Sequence, residues 1–218
     1  FRPITDDSNR FNALRTGDVQ IAERLSPLDA VRVKKGDVKG IKILEDTLGG
    51  YQALIVNWLN PLLQKLEMRQ ALRYVTDKQR LVDEVFYGNA VAVDLMMDPN
   101  DMWVKTANIP RHKRDLAKAK ALLKSAGYKG QELVLIGRKS EAQLLESFQR
   151  IVGEAGINVK VELLEAGVRD ERFRDGKYDL YVDGGDPISD PVITMTPKYY
   201  TTKTAKGHYS NPKVDQLF

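Results

Sequence analysis

Residues 132–165 read ELVLIGRKSEAQLLESFQRIVGEAGINVKVELLE, and the spacing of apolar side chains changes twice within them. ELVLIG is a short apolar run of strand length. In the middle, Leu144, Leu145, Phe148, Ile151, Val152 and Ala155 recur at helical spacing and mark one face of a helix over 141–156. In INVKVELLE, Val159, Val161 and Leu163 alternate with Lys160 and Glu162, as in a half-buried strand. Strands that alternate with helices argue for an α/β domain whose sheet is covered by helices.

The same alternation extends in both directions. Asp115 opens a helix with Leu116, Ala119, Leu122, Leu123 and Ala126 inward, closed by Gly127. After residue 165 a short helix runs to Gly176, and YDLYV (178–182) is the next strand. Toward the amino end, Met68, Ala71, Leu72 and Val75 form an i, i+3, i+4, i+7 stripe. Thr76 or Asp77 can cap a further helix that buries Leu81, Val82, Val85 and Phe86 and stops at Gly88. IKILED (41–46) and YQALIVNW (51–58) read as strands on either side of Gly49-Gly50. Before them come an extended run FRPI, a helix over 6–16 ended by Gly17, a strand VQIA (19–22), and a helix capped by Ser26. Pro27 at its first position and Asp29 in its first turn suit that helix start. Residues 89–112 have little periodicity and read as a long surface loop.

The 218 residues suffice for one or two domains, and no apolar run approaches the roughly 18 residues of a membrane span. With no cysteine, disulfides and thiolate metal sites are excluded. A formal charge of +4 is mild, whereas nucleic-acid binders concentrate more positive charge on one face. The basic run RHKRDLAKAKALLK (111–124) fits a solvated helix face, since Lys118, Lys120 and Lys124 lie off the apolar stripe and no aromatics interleave.

YVDGGDPISDP (181–191) is the chemically loaded stretch, with three aspartates after an apolar run. A calcium loop counted from Asp183 or Asp186 would need a glutamate where Thr194 or Pro197 stands. His112 and His208 lie far apart and lack zinc spacing. No phosphate-binding glycine motif and no G-x-S-x-G is present. What remains is a loop at a strand exit, where open α/β sheets bind ligands. There a carboxylate can meet a ligand ammonium; alternatively Asp183 or Asp190 caps a turn and binds nothing.

Six segments, in order, resemble one family. FRPITDDSNRFNALRTGDVQIAE is similar to F-R-P-I-x-D-x-x-x-R-x-x-A-L-x-x-G-x-x-D-I-A, and GGYQALIVNW to G-Y-x-x-L-x-x-N. MRQALRYVTDKQRLVDEVFYGNA resembles R-Q-A-L-x-x-A-x-D-x-x-x-[LI] ending in Gly, and DLAKAKALLKSAGY resembles D-P-x-K-A-K-x-L-L-x-E-A-G-Y. EAGINVKVELLE and HYSNPKVDQLF complete the series. The family is that of the solute-binding proteins of the peptide, dipeptide and nickel type, which serve ABC importers.

The resemblance implies a periplasmic-binding-protein-like α/β lobe, a mixed sheet flanked by helices within a two-lobe cleft architecture. Residues 1–40 would be the end of the first lobe (a βαβα segment), 41–208 the second ligand-binding lobe, and 209–218 a return toward the first. The chain would then be a piece of a longer protein. The resemblance further implies capture of a peptide or similar small solute, an ABC permease as partner, and a periplasmic or extracellular place at the cell envelope. It implies no catalysis, cofactor, metal or nucleic acid. Asp186 best matches the aspartate of G-D-x-x-D-P that pairs with a peptide amino group, although GDPISDP is one residue longer. Arg138 stands where dipeptide binders hold the ligand carboxylate, and a planar guanidinium suits that group. Trp103, in a segment similar to M-W-G-Y, and Asn57, Trp58, Tyr181 and Asp183 complete the expected ligand wall. Competing readings are an α/β hydrolytic enzyme, which would turn over a peptide or ester, and a basic nucleic-acid module, whose affinity would fall steeply with salt.

Overall fold

Helices in this chain begin where a short oxygen-bearing side chain can accept a free backbone N–H. Asp6 accepts from Asn9 N at 2.8 Å and opens α1 (Asp7–Thr16), which Gly17 ends at φ 81°. Ser26 does the same for α2 (Pro27–Lys34), with Asp29 hydrogen-bonded back to it. The computed structural model describes residues 2–45, 50–94, 112–185 and 206–217. Its backbone contacts divide the chain into two units, Phe1–Thr47 with Gln79–Ala92, and Leu48–Lys78 with Val93–Phe218.

In the first unit α1 and α2 form as expected, but residues 2–5, 19–22 and 41–45 are not strands. Val19 spends its N–H on the carbonyl of Ala13, closing the end of α1, so it cannot donate to a ladder. An alternating pattern marks a face; a strand also needs a neighbour, and among the described residues these segments have none.

The second unit holds the sheet. Its strands are β1 (Tyr51–Val56), β2 (Leu133–Arg138), β3 (Val159–Leu164) and β4 (Leu180–Gly185), in the order β1-β4-β2-β3. β2 is parallel to β3 and to β4, whereas β1 is antiparallel to β4. Between them lie α3 (Pro61–Gln64), α4 (Leu66–Val75) and α5 (Lys78–Val85), the last starting at the boundary of the two units. Then come α6 (Leu116–Ser125), a 3-10 turn (Lys139–Glu141), α7 (Ala142–Gly153), α8 (Ala166–Arg174), a second 3-10 turn (Lys206–His208) and α9 (Pro212–Asp215). Asn60, Asp115 and Asn211 cap α3, α6 and α9.

One face of the sheet carries the main core. Leu133, Leu135, Leu180 and Val182 meet Met68, Ala71, Leu72 and Val75 of α4, Ala119 and Leu123 of α6, and Leu145 and Phe148 of α7. The opposite face is smaller: Ile136 and Tyr181 pack with Tyr178 and with Phe173 of α8. Lys118, Lys120 and Lys124 are exposed, off the buried stripe of α6. Of the loop expected over 89–112, residues 95–111 lie outside the described residues.

β4 corrects one boundary. YDLYV reads as a strand ending at Val182, with Asp183 and Gly184 already in a loop, yet the strand runs to Gly185. Pairing with β1 carries it on, since Asp183, Gly184 and Gly185 oppose Ala53, Gln52 and Tyr51. Asp183 is therefore a strand residue.

Candidate ligand site at the carboxyl edge of the sheet

Parallel strands β2, β3 and β4 end along one edge, and β1, running the other way, begins there. Side chains alternate between faces, so Tyr181 and Asp183 of β4 share the smaller face, as do Ile136 and Arg138 of β2. Asp183 is only 2% exposed, and Oδ2 accepts a hydrogen bond from the Tyr51 hydroxyl at 3.1 Å. Glycine permits that arrangement: a Cβ on Gly185 would lie 2.4 Å from the Tyr51 hydroxyl oxygen.

Arg138 closes β2. Its backbone N–H donates to Glu141 Oε2 at 2.7 Å, while its exposed guanidinium makes no ion pair or hydrogen bond with another side chain among the described residues. Arg169, in the first turns of α8, is 6% exposed. Its Nε and Nη2 donate to Asp170 Oδ1 at 3.0 and 2.7 Å, and its guanidinium carbon lies 5.7 Å from the centre of the Tyr181 ring. Burial is the largest single influence and opposes the charge of Arg169, but the hydrogen bonds it donates to Asp170, together with the charges of Tyr181, Asp170 and Glu141, outweigh burial and raise the pKa. Burial also pushes the Tyr181 hydroxyl up; Arg169 and Arg138 pull it down, Asp183 and Glu141 push it further up. Tyr181 thus sits among two guanidinium and two carboxylate groups.

Arg138, Tyr181 and Asp183 therefore come together, while Asn57 and Trp58 do not join them. Those two follow the last residue of β1, at the opposite edge, about 13 Å away along the strands at roughly 3.3 Å per residue. Asn57 is 1% exposed and holds backbone on three sides: Nδ2 donates to the carbonyls of Gly176 (2.9 Å) and Tyr178 (2.7 Å), and Oδ1 accepts from Leu59 N (3.0 Å). Trp58 meets Tyr209 edge-on at 4.9 Å and carries the Arg69 guanidinium 4.4 Å over its ring. Asp186, Asp190 and Trp103 lie outside the described residues.

Tyr51 and Arg169, which contact Asp183 and Tyr181, are not residues that the sequence singles out. Arg169 is one of three arginines in AGVRDERFR, a helix without an apolar stripe, so nothing local singles it out. Asp183 was the available signal, a carboxylate two residues along an apolar strand from Tyr181. Among the described residues, no three carboxylate or imidazole groups are placed to hold a metal ion. No helix among them is long and apolar enough to cross a membrane.

Residues 1–207 match the middle region of the bacterial extracellular solute-binding proteins, family 5. The chain belongs to that family. Among family 5 relatives, a probable di/tripeptide-binding protein of Pseudomonas aeruginosa is 30% identical over 98% of this chain and 42% of its own length. The dipeptide-binding protein of Escherichia coli is 27% identical over 86% of this chain and 37% of its length. The chain thus spans less than half the length of these relatives. Solved family 5 structures share the fold. The periplasmic binding protein DppA of Helicobacter pylori, in complex with a peptide, superposes with a TM-score of 0.86 at 22% identity, over 99% of this chain and 43% of that one. NikZ of Campylobacter jejuni, in complex with Ni(L-His), gives 0.79 at 24%, over 98% and 46%.

Proposed function

We propose that this chain is part of the solute-binding component of an ABC importer, which captures a peptide or similar small solute between two lobes and delivers it to a membrane permease. In this reading the protein works in the periplasm or outside the cell and is not an enzyme. Residues 1–40 end the first lobe, 41–208 form the second, and 209–218 return toward the first. One observation carries the reading: at the carboxyl edge of the sheet, where open α/β sheets take ligands, the exposed Arg138 ends β2 and the buried Asp183 lies on the same face of β4, each two residues beyond the Ile136–Tyr181 pair. Arg138 receives the ligand carboxylate and Asp186 its amine, with Tyr181, Asp183 and Trp103 lining the wall. The side chains of Asn57 and Trp58 serve the opposite edge and are not assigned to the ligand.

Thermal unfolding of the protein as the cell produces it, with tripeptides, nickel chelates and sugars in turn, tests the class of solute. A ligand that binds only the folded state raises the melting temperature. Tripeptides should do so and be recovered intact, and Arg138→Ala should weaken their binding about tenfold or more while the unliganded melting point stays put. No response to any peptide, or cleavage of the peptide, would overturn the proposal. Affinity within twofold of wild type in Arg138→Ala would remove Arg138 from the site.

A further inference from the structure

The basic run over 111–124 is only partly spent in the fold. Arg114 pairs with Glu154, and Lys118 Nζ donates to the Tyr74 hydroxyl at 2.8 Å. Lys120 and Lys124 lie one turn apart on α6, and their ammonium groups form no ion pair or hydrogen bond with a described residue; nor does that of Lys129. These three lysines rim one cavity of ≈ 470 Å³, and no acidic side chain lines it among the described residues. A fourth cation flanks it: Lys65 Nζ donates to the carbonyl of Ala126 at 2.7 Å and would stand 3.7 Å from a Cβ on Gly127. The cavity lies where β2 and β3 begin, at the edge opposite Arg138 and Asp183. We propose that this cavity is a second binding site, separate from the solute edge, and that it takes a phosphate group, free or carried on a lipid headgroup.

Like charges gathered without partners repel. Lys120 and Lys124 do so across one helix turn, and Lys129 adds a third charge from the turn that follows. The helix ends do not need these ammonium groups as donors. The carbonyls of Leu122, Leu123 and Lys124 already accept from the N–H groups of Ala126, Tyr128 and Gly127. At the end of α7 those of Ile151, Val152 and Gly153 accept from Glu154, Ala155 and Gly156. An anion in the cavity relieves the repulsion, and it meets a rim that is already braced. The Tyr128 hydroxyl donates to the Gln131 carbonyl at 2.8 Å and accepts from Asn158 N at 2.7 Å, while Lys129 N donates to Gln131 Oε1 at 2.7 Å. The turn that carries Lys129 is thus tied to the residue before β3, so little backbone freedom is lost on binding. Side-chain chemistry selects the anion. A planar carboxylate is matched by a guanidinium fork, whereas point-like ammonium groups can gather round the oxygens of a tetrahedral phosphate.

Calorimetry of the protein as the cell produces it, titrated with inorganic pyrophosphate and separately with malonate, tests the proposal. Pyrophosphate should bind the tighter, and its affinity should fall as salt screens the lysines. Lys120→Gln, Lys124→Gln and Lys129→Gln combined should weaken pyrophosphate about tenfold or more and leave the unliganded melting temperature in place. Lys35→Gln, Lys39→Gln and Lys42→Gln combined remove the same charge from exposed positions of the first unit. That control should keep its affinity within about twofold. Equal losses in the two triple variants would mean that net charge alone draws the anion, and would overturn the site. Malonate bound as tightly as pyrophosphate would overturn the choice of phosphate. Flotation with phosphatidylglycerol vesicles, against phosphatidylcholine, separates the two sources. Vesicle binding that pyrophosphate displaces, and that the Lys120, Lys124 and Lys129 variant loses, assigns the phosphate to a lipid. Pyrophosphate binding without vesicle binding assigns it to a free phosphate compound. Binding of neither overturns the proposal and leaves solute capture at the opposite edge untouched.

Discussion

A single asparagine shows how fully a structural clamp can occupy a side chain that the sequence also offers to a ligand. Asn57 ends an apolar strand beside a tryptophan, a position from which the sequence offers it as a ligand contact. In the fold its amide is spent on three backbone groups, joining the end of β1 to the turn before β4. Replacing it by alanine leaves two buried carbonyls and one N–H without partners, so Asn57→Ala should cost about 2–4 kcal/mol. Urea unfolding with an unchanged slope checks this, and a loss below about 1 kcal/mol would show that water takes over the clamp. Which candidates share a place is written in strand parity: Tyr181 and Asp183 differ by two and face the same way. That Asn57 lies at the other edge follows only from β1 running antiparallel to β4, which no local pattern encodes.

Among the elements, those defined by nearby residues were legible and those defined by distant partners were not. Asp6, Ser26 and Asp115 cap helices through bonds three residues long, so the sequence carries the whole device. The stripe Met68, Ala71, Leu72 and Val75 is buried as its spacing requires. Residues 19–22 and 41–45 have the composition of strands and no described neighbour to pair with, while α3, four residues long, is too short for a periodic signal although Asn60 and Pro61 mark its start. The β2–α7 junction depends on a contact that sequence alone does not display. A Cβ on Gly137 would lie 2.5 Å from Leu145 Cδ2 and 3.0 Å from Glu141 Oε2, so the glycine sets how closely α7 lies on the sheet. Gly137→Ala should therefore destabilise by about 1–3 kcal/mol, the cost of overpacking a buried site. Chemical denaturation gives the value; no measurable loss would mean that Leu145 changes rotamer freely.

At the scale of the molecule, stability should depend on acid through Asp94. Burial raises its pKa, but hydrogen bonds and charge from Lys78, and then from Arg73, outweigh burial and hold the carboxyl below its ordinary value. A carboxylate with a lower pKa in the folded state lends stability that is complete above the unfolded value, about 3.9 for aspartate, and is lost as pH falls through the folded value. Asp94→Asn should thus weaken the protein at pH 7 and match wild type near pH 2. A deficit that persists unchanged in acid would exclude the ion pairs as its source. The order of the sheet has a consequence of another kind, for the chain during its synthesis. Among the described residues β1 is an edge strand whose neighbour is β4, and Tyr51 and Asp183 stand 132 positions apart. At about 5–20 residues per second, roughly 7–26 s separate their emergence from the ribosome. Throughout that interval the amides of β1 wait for β4, and the nascent chain stays open to whatever factor handles unfolded polypeptides.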